Sequence, residues 1–516
     1  MAEVTSEPTR ERDDRARRES KGLKEGSVGF WDGVAIGVDS TAPAYTIAAV
    51  LGSIAIIAGT KAPAVLIVSF IPMLFIAGAF YYMNRADPDC GTTFSWVSRA
   101  MGPWMGWMGG WAIFSTGVLV IGAQADVAAK YLFYLVRLDS LAENRVAVVL
   151  FAGILVFLLT FLSVRGTELS ARFQRIMVAV QVGALLVFIL VAFVQMASGR
   201  VAAGANTFSW DWFNPVGLSA SALISGMLLG VFCYWGWESA VNLNEESEDA
   251  IDAPGRAGVV STIILLFIYL GSAVAVLGVL NLDTLTEFDD DEALFSVVGP
   301  QVLGPFGWLL ILSIIISGLA STQTTIIPAS RGSLSMAVAG AFPAKFKEVH
   351  SSWGTPAFGT WVIGAAAVIW YVIGSVISQN FLFDSLSALS IVVAFYYALT
   401  GIACAIYWRR ELRSSLKAFL FIGVAPVVGA IVLFVLLVMA MIEYADPAAS
   451  YTETAILGMG APLFMAILIF VMGLALMVLS RLTFAERYFA TAGGEEVDVE
   501  VARAALGPVQ LGPSPD

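Results

Sequence analysis

Asp39, Ser40 and Thr41, followed by Pro43, interrupt an apolar run in the stretch GVDSTAPAYTIAAVLG at 37–52. Proline cannot donate to the helical ladder and clashes with the preceding turn, so it opens a helix. The hydroxyls of Ser40 and Thr41 can satisfy the backbone groups so freed, and the Asp39 carboxylate attracts cations. A second interruption, GWESAVNLNEES at 236–247, places Gly236 and Glu238 inside another apolar run. This is chemistry for holding a ligand, and it needs no bond to be made or broken. His350 is the one histidine, in a polar loop, and Cys90, Cys233 and Cys404 are scattered. They form neither a zinc site nor a disulfide framework. No catalytic set, resident metal or cofactor is expected. No GxxxxGK[ST] loop couples the chain to ATP, and no basic groove with interleaved aromatics points to nucleic acid.

The elements that position these residues follow from composition. The chain has 516 residues, 58% of them hydrophobic and 13% charged, about half the charged fraction of a soluble protein. Its solvent is lipid, in which about 20 apolar residues make one helical crossing. Apolar runs fall near 29–58, 63–83, 104–136, 144–163, 172–195, 217–243, 257–280, 302–341, 357–378, 381–407, 416–441 and 457–480, twelve in all. The run at 302–341 is too long for one crossing and is expected to continue into the cytosol. Of 28 Lys and Arg residues, the loops that would lie outside hold Lys61, Lys130, Arg137, Arg145 and Arg200. The positive-inside rule then puts both termini in the cytosol. Polar tails are expected at 1–26 and 483–516, without regular structure. The acidic clusters EESEDAID (245–252) and EFDDDEA (287–293) read as solvated loops.

Pro72 and Pro426 fit ordinary kinks whose freed carbonyls neighbouring helices satisfy, and Gly226 and Gly230 fit helix packing. The interruptions at Pro43 and Gly236 differ because they lie five runs apart. An odd offset makes the second unit enter the membrane from the opposite side. The pattern predicts an inverted repeat, 27–200 and 201–410, with 411–482 adding two helices. Broken helices in such repeats meet at the bilayer midplane and bind the substrate there. Free amides at half-helix N-termini suit an anion and unwound carbonyls suit a cation.

Four motifs in order carry a resemblance. They are PDCGTTFSWVSRAMGPWMGWMGGW (88–111), VRGTELSARFQ (164–174), GWESAVNLNEES (236–247) and ASRGSLSMAVAGAFPAKFKEVHSSWGTP (329–356). From about residue 27 to the twelfth run the chain resembles the amino acid–polyamine–organocation transporters. The resemblance implies an all-α polytopic membrane protein with twelve spans, a five-plus-five inverted-repeat core with discontinuous helices 1 and 6, and alternating-access transport of amino acids or related amines.

Carried over position by position, the resemblance puts Asp39, Ser40, Thr41, Ala42 and Pro43 at the substrate site. It puts Phe232 where many members carry an aromatic gate, with Cys233, Trp235 and Gly236 on the adjacent unwound stretch. Packing against lipid or neighbouring helices is the other reading of Trp235 and Trp237. Phe114, Gly117 and Ile121 share a face of the third span that the family uses for its pocket, and helix packing explains them equally well. Glu238 is implied to brace the break by hydrogen bonds or to lie on a proton path.

The chain also departs from the family. The usual Gly-Ser/Thr-Gly of the first span reads IGVDSTAP here. A carboxylate at that place favours a substrate's ammonium and disfavours a bare carboxylate. Gln181 stands where some members carry a titrating lysine, which puts coupling through that lysine in doubt. Ser321 and Thr322, with the carbonyl of Val38, offer oxygens for sodium, unless the hydroxyls bond their own helix. Asp126 lies four residues before Lys130, which suggests a pair at the rim. The expected function is a plasma-membrane permease driven by a proton or sodium gradient or by exchange. The alternative is a channel or sensor that keeps the fold. Partners are the small-molecule substrate, H+ or Na+, and lipid; the sequence leaves the oligomeric state open.

Overall fold

Each apolar run of the sequence forms helix. The computed structural model describes residues 21–286, 294–377 and 380–491; the tails before 21 and after 491 and the acidic loop 287–293 lie outside the described residues. Eleven stretches among the described residues are long and apolar enough to cross a membrane. The first, Phe30–Ala86, is 57 residues long and contains three helices: α1 (Phe30–Ser40), α2 (Pro43–Ala58) and α3 (Ala62–Ala86). A short amphipathic helix, α4 (Thr93–Met101), leads into α5 (Pro103–Leu135), α6 (Arg145–Val164) and α7 (Thr167–Ala197). Next comes α8 (Ala220–Cys233), continued after a break by a 3₁₀ segment, Trp237–Glu246. The chain then forms α9 (Ala253–Val279), α10 (Leu294–Leu303), α11 (Trp308–Val338), α12 (Ala357–Ile377) and α13 (Phe381–Tyr407). It ends with α14 (Ala425–Glu443), α15 (Ala461–Thr483) and the short α16 (Glu486–Phe489).

The long run at 302–341 resolves into α10 and a 3₁₀ turn at Gly304–Phe306, then a continuous α11 that passes through Pro328. Helices α5 and α11 form the centre: 83% of the most apolar window of each is buried, against 33% for α6 and α7. Outer faces carry bare apolar rows, such as Leu186, Leu190 and Val194 on α7 and Ile431, Phe434 and Val438 on α14. In lipid such rows need no cover. Gly226 and Gly230 let α8 lie directly on Val65 and Ser69 of α3, where any side chain would collide.

Two segments assigned to tails by their composition pack onto the bundle instead. Lys21 reaches Asp89 in the α3–α4 connection. At the other end, Tyr488 donates to the Pro103 carbonyl at 2.9 Å and stacks on Phe94 of α4. Polar composition alone could not show this, because the partners lie far away in the chain.

Candidate transport site

Helix α1 stops at Ser40 and α2 restarts at Pro43, with Ala42 between them in the left-handed region at φ 49°. Pro43 occupies the first turn of α2, where its missing N–H has no partner to lose. Hydroxyls take the freed carbonyls. Thr41 Oγ1 donates to Val38 O at 2.7 Å, Ser321 Oγ to Ser40 O at 2.8 Å, and Thr46 Oγ1 to Thr41 O at 2.8 Å. Ser321 in turn accepts from Gln124 Nε2 at 2.7 Å, so α5 and α11 both hold the break.

The second break is built on Gly236, at φ 122°, a conformation that side chains disfavour. Tyr269 of α9 donates to Cys233 O at 2.6 Å, capping the end of α8. Glu238 is the hub. It accepts from Tyr396 at 2.5 Å, from Tyr397, and from the Gly236 N–H at 3.1 Å. Tyr396 also accepts from Trp235 Nε1 at 2.6 Å. Glu238 thus links the Gly236 N–H to hydroxyls that α13 supplies.

The two breaks meet. A β-carbon on Gly236 would lie 2.6 Å from the Ser40 carbonyl oxygen, and Ser40 Oγ shares a 2.7 Å hydrogen bond with Ser239 Oγ. Asp39 is fully buried beside them. Its Oδ1 accepts from Gln181 Nε2 of α7, while among the described residues its Oδ2 and Gln181 Oε1 have no hydrogen-bond partner. The structure thus gathers Asp39, Ser40, Thr41, Ala42, Pro43, Gln181, Gly236, Glu238 and Ser321 around one junction.

Other expected positions are engaged elsewhere. Phe232 stacks on Trp235 at 6.4 Å and lines a small apolar cavity with Leu228, Ser390, Val393 and Leu436. Cys233 Sγ bonds its own helix at Leu229 O. Phe114 stacks on Trp111 and meets Phe342, while Gly117 lets α5 approach Ala329 of α11, 3.1 Å from a β-carbon placed on it. These are packing contacts of the central pair. The three oxygens considered for sodium each have a hydrogen bond already: Val38 O with Thr41, Ser321 with Ser40 O, and Thr322 with Gly318 O at 2.7 Å. Asp126 is held by Arg145 at 2.5 Å and by Tyr371 on neighbouring helices, a partner set that its spacing to Lys130 does not reveal.

At one end of the bundle, ion pairs join several elements. Arg331 of α11 grips Glu246 with Nε and Nη2, both at 3.0 Å, and Thr167 joins the pair. Beside it, Lys21 Nζ contacts Glu245 Oε1 at 2.6 Å, Ser335 Oγ at 2.6 Å and Asp89 Oδ1 at 3.0 Å. Burial works against both charges, yet the neighbouring carboxylates hold the Lys21 ammonium above the usual lysine range. Lys21 and Arg99 in turn hold Asp89 below the usual carboxylate range against its own burial. Sequence reasoning passed over Lys21, Gln124, Tyr269, Tyr396 and Tyr397; the last two lie unmarked inside an apolar run.

Two broken helices in contact inside an apolar helical bundle are an arrangement that secondary transporters use. The amino acid permease family model matches residues 30–461, and the chain belongs to that family, within the amino acid–polyamine–organocation transporters. It is a multi-pass secondary transporter for amino acids or related amines, neither an enzyme nor a channel. The methylthioribose transporter of Bacillus subtilis (strain 168) is 23% identical over 396 residues, 72% of this chain and 80% of that protein. The arginine/ornithine antiporter of Latilactobacillus sakei is 24% identical over 390 residues, 73% of this chain and 79% of the antiporter. The low-affinity putrescine importer PlaP of Escherichia coli (strain K12) is 22% identical over 374 residues, 70% of this chain and 77% of the importer.

Proposed function

We propose that the protein is a plasma-membrane permease whose substrate carries an ammonium group and binds where the breaks meet, with Asp39 as the counter-ion. One observation carries this reading: among the described residues, the buried Asp39 carboxylate has a neutral amide as its partner and a second oxygen with none. An ionised carboxylate inside a membrane bundle is costly unless several donors or a positive charge meet it. Glu238 has three donors, Asp39 has one amide, and a substrate ammonium would supply the charge. The names of two relatives, an arginine/ornithine antiporter and a putrescine importer, agree with a cationic cargo.

The same reading takes the core as a five-plus-five inverted repeat of twelve spans, with Phe30–Ala86 making two crossings. Its support is that Lys21 and Tyr488 both pack at α4 or the loop before it, so the chain crosses an even number of times. The excess of Lys and Arg on that side makes it the cytosolic one. Access to the site alternates, and α5 and α11 act as the fixed frame.

Uptake of labelled putrescine and L-arginine into proteoliposomes tests the function. Accumulation that collapses with an imposed proton or sodium gradient, or that requires counter-substrate inside, supports it and identifies the driving force. Gradient-independent conductance, or uptake only of substrates without an amine, overturns it.

A further inference from the structure

We propose that Lys21 is a latch: its ammonium, carried on the segment before the first membrane helix, holds the ion-paired end of the bundle shut until that segment withdraws. The groups around Nζ come from three separate pieces of the fold. Asp89, with Cys90 Sγ at 3.6 Å, belongs to the α3–α4 connection, Glu245 to the end of the broken sixth-run helix, and Ser335 to α11. Residues 27 and 28 are stitched to the broken helix as well. Ser27 N and Val28 N donate to Glu246 O at 2.9 and 3.1 Å, and Glu248 N donates to Val28 O at 3.0 Å. One end of the segment is thus tied to the broken helix, while Lys21 reaches across to the frame. This end cannot open while both ties hold.

The latch is also loaded. Ligand oxygens of Asp89 and Glu245 and the Cys90 sulfur lie within 4.8 Å of one another, with the ammonium of Lys21 between the two carboxylates. Once that charge leaves, two partly buried like charges repel at short range. Withdrawal therefore strains the α3–α4 connection against the broken helix, where the bonds from Cys90 N–H to Glu245 Oε1 at 2.8 Å and from Asn242 Nδ2 to Cys90 O at 3.0 Å remain. Nothing in this depends on which substrate is carried.

Cys90 is a built-in reporter, since all three cysteines, Cys90, Cys233 and Cys404, are free and buried. N-ethylmaleimide labelling of the full-length protein in detergent, read at each cysteine by mass spectrometry, tests the latch. In Lys21→Gln, Cys90 is expected to label about tenfold faster, the shift in opening expected from losing one charge-assisted hydrogen bond. Cys233 and Cys404 keep their rates, and Lys21→Arg stays near wild type. The nearby ammonium favours the Cys90 thiolate, so its loss alone would slow labelling; acceleration reports opening. An unchanged Cys90 rate in Lys21→Gln overturns the proposal. If all three cysteines speed up together the fold is lost, and Ser335→Ala becomes the deciding variant. It removes the α11 contact of Lys21 and a hydrogen bond that favours the Cys90 thiolate, so selective Cys90 acceleration is expected from opening alone and an unchanged rate overturns the latch.

Discussion

The Ser40 carbonyl oxygen would lie 2.6 Å from a β-carbon on Gly236, so the backbones of the two broken helices are in direct contact. Gly236→Ala must push them apart and also place a side chain at φ 122°. Uptake is expected to fall at least roughly tenfold, about 1.4 kcal/mol on the transport barrier, with protein still inserted in the membrane. Alanine at Gly183, which has open space around it, is the matched control and should transport normally.

Asp39→Asn keeps the shape of the side chain and removes its charge. Affinity for putrescine and L-arginine is expected to drop about tenfold to a hundredfold, the scale of one charge-assisted hydrogen bond. Thermal-shift titration of the purified protein checks it. Unchanged affinity for both probes would mean that Asp39 does not hold the ammonium.

Arg331 and Glu246 form an ion pair whose side chains are 2% and 0% exposed. Removing one partner strands the other charge, a loss of about 3–5 kcal/mol. Arg331→Met and Glu246→Leu should each lower the thermal unfolding midpoint sharply. The double variant should recover most of that loss, because two apolar side chains leave no buried charge unpaired. A double variant less stable than either single one would refute this account.

The pH dependence of the Lys21 contact follows from the groups that form it, Lys21, Asp89 and Glu245. Asp89 sits below its unfolded value, so its contribution is complete above about pH 4 and is lost as acid reaches the folded value. Lys21 sits above its unfolded value, so its contribution is complete below about pH 10 and is lost on raising pH through the folded value. Glu245 is the second carboxylate on Lys21, so the stability difference between wild type and Lys21→Met should be flat where all three groups are charged, from about pH 7 to about pH 9, and should fall as acid protonates the two carboxylates. A difference that shrinks toward neutrality would show that the ion pair is not what Lys21 contributes.

Some of this was legible before any coordinates. Long apolar runs are dictated by the lipid, and the residues that spoil two of them, Asp39 to Pro43 and Gly236 to Glu238, mark the breaks. Asp39 and Gln181 each stood out on chemical grounds. Their contact did not, because 142 residues separate them. The caps were hidden for the same reason. Ser321 lies 281 residues from the carbonyl it serves, and a serine in an apolar helix looks the same whether it bonds its own turn or another helix. Phe114 and Gly117 show the converse: sharing a helical face says that residues point together, not at what. Lys21 was lost among the charges of a polar tail, where composition says nothing about distant carboxylates.

Three carbonyls freed at the two breaks, those of Ser40, Thr41 and Cys233, are met by the hydroxyl groups of Ser321, Thr46 and Tyr269. A hydroxyl is a rotor. Turning about one C–O bond takes its proton away from the carbonyl while every heavy atom stays in place. At the site proposed for the cargo, three small rotations would thus bare the unwound carbonyls and seal them again.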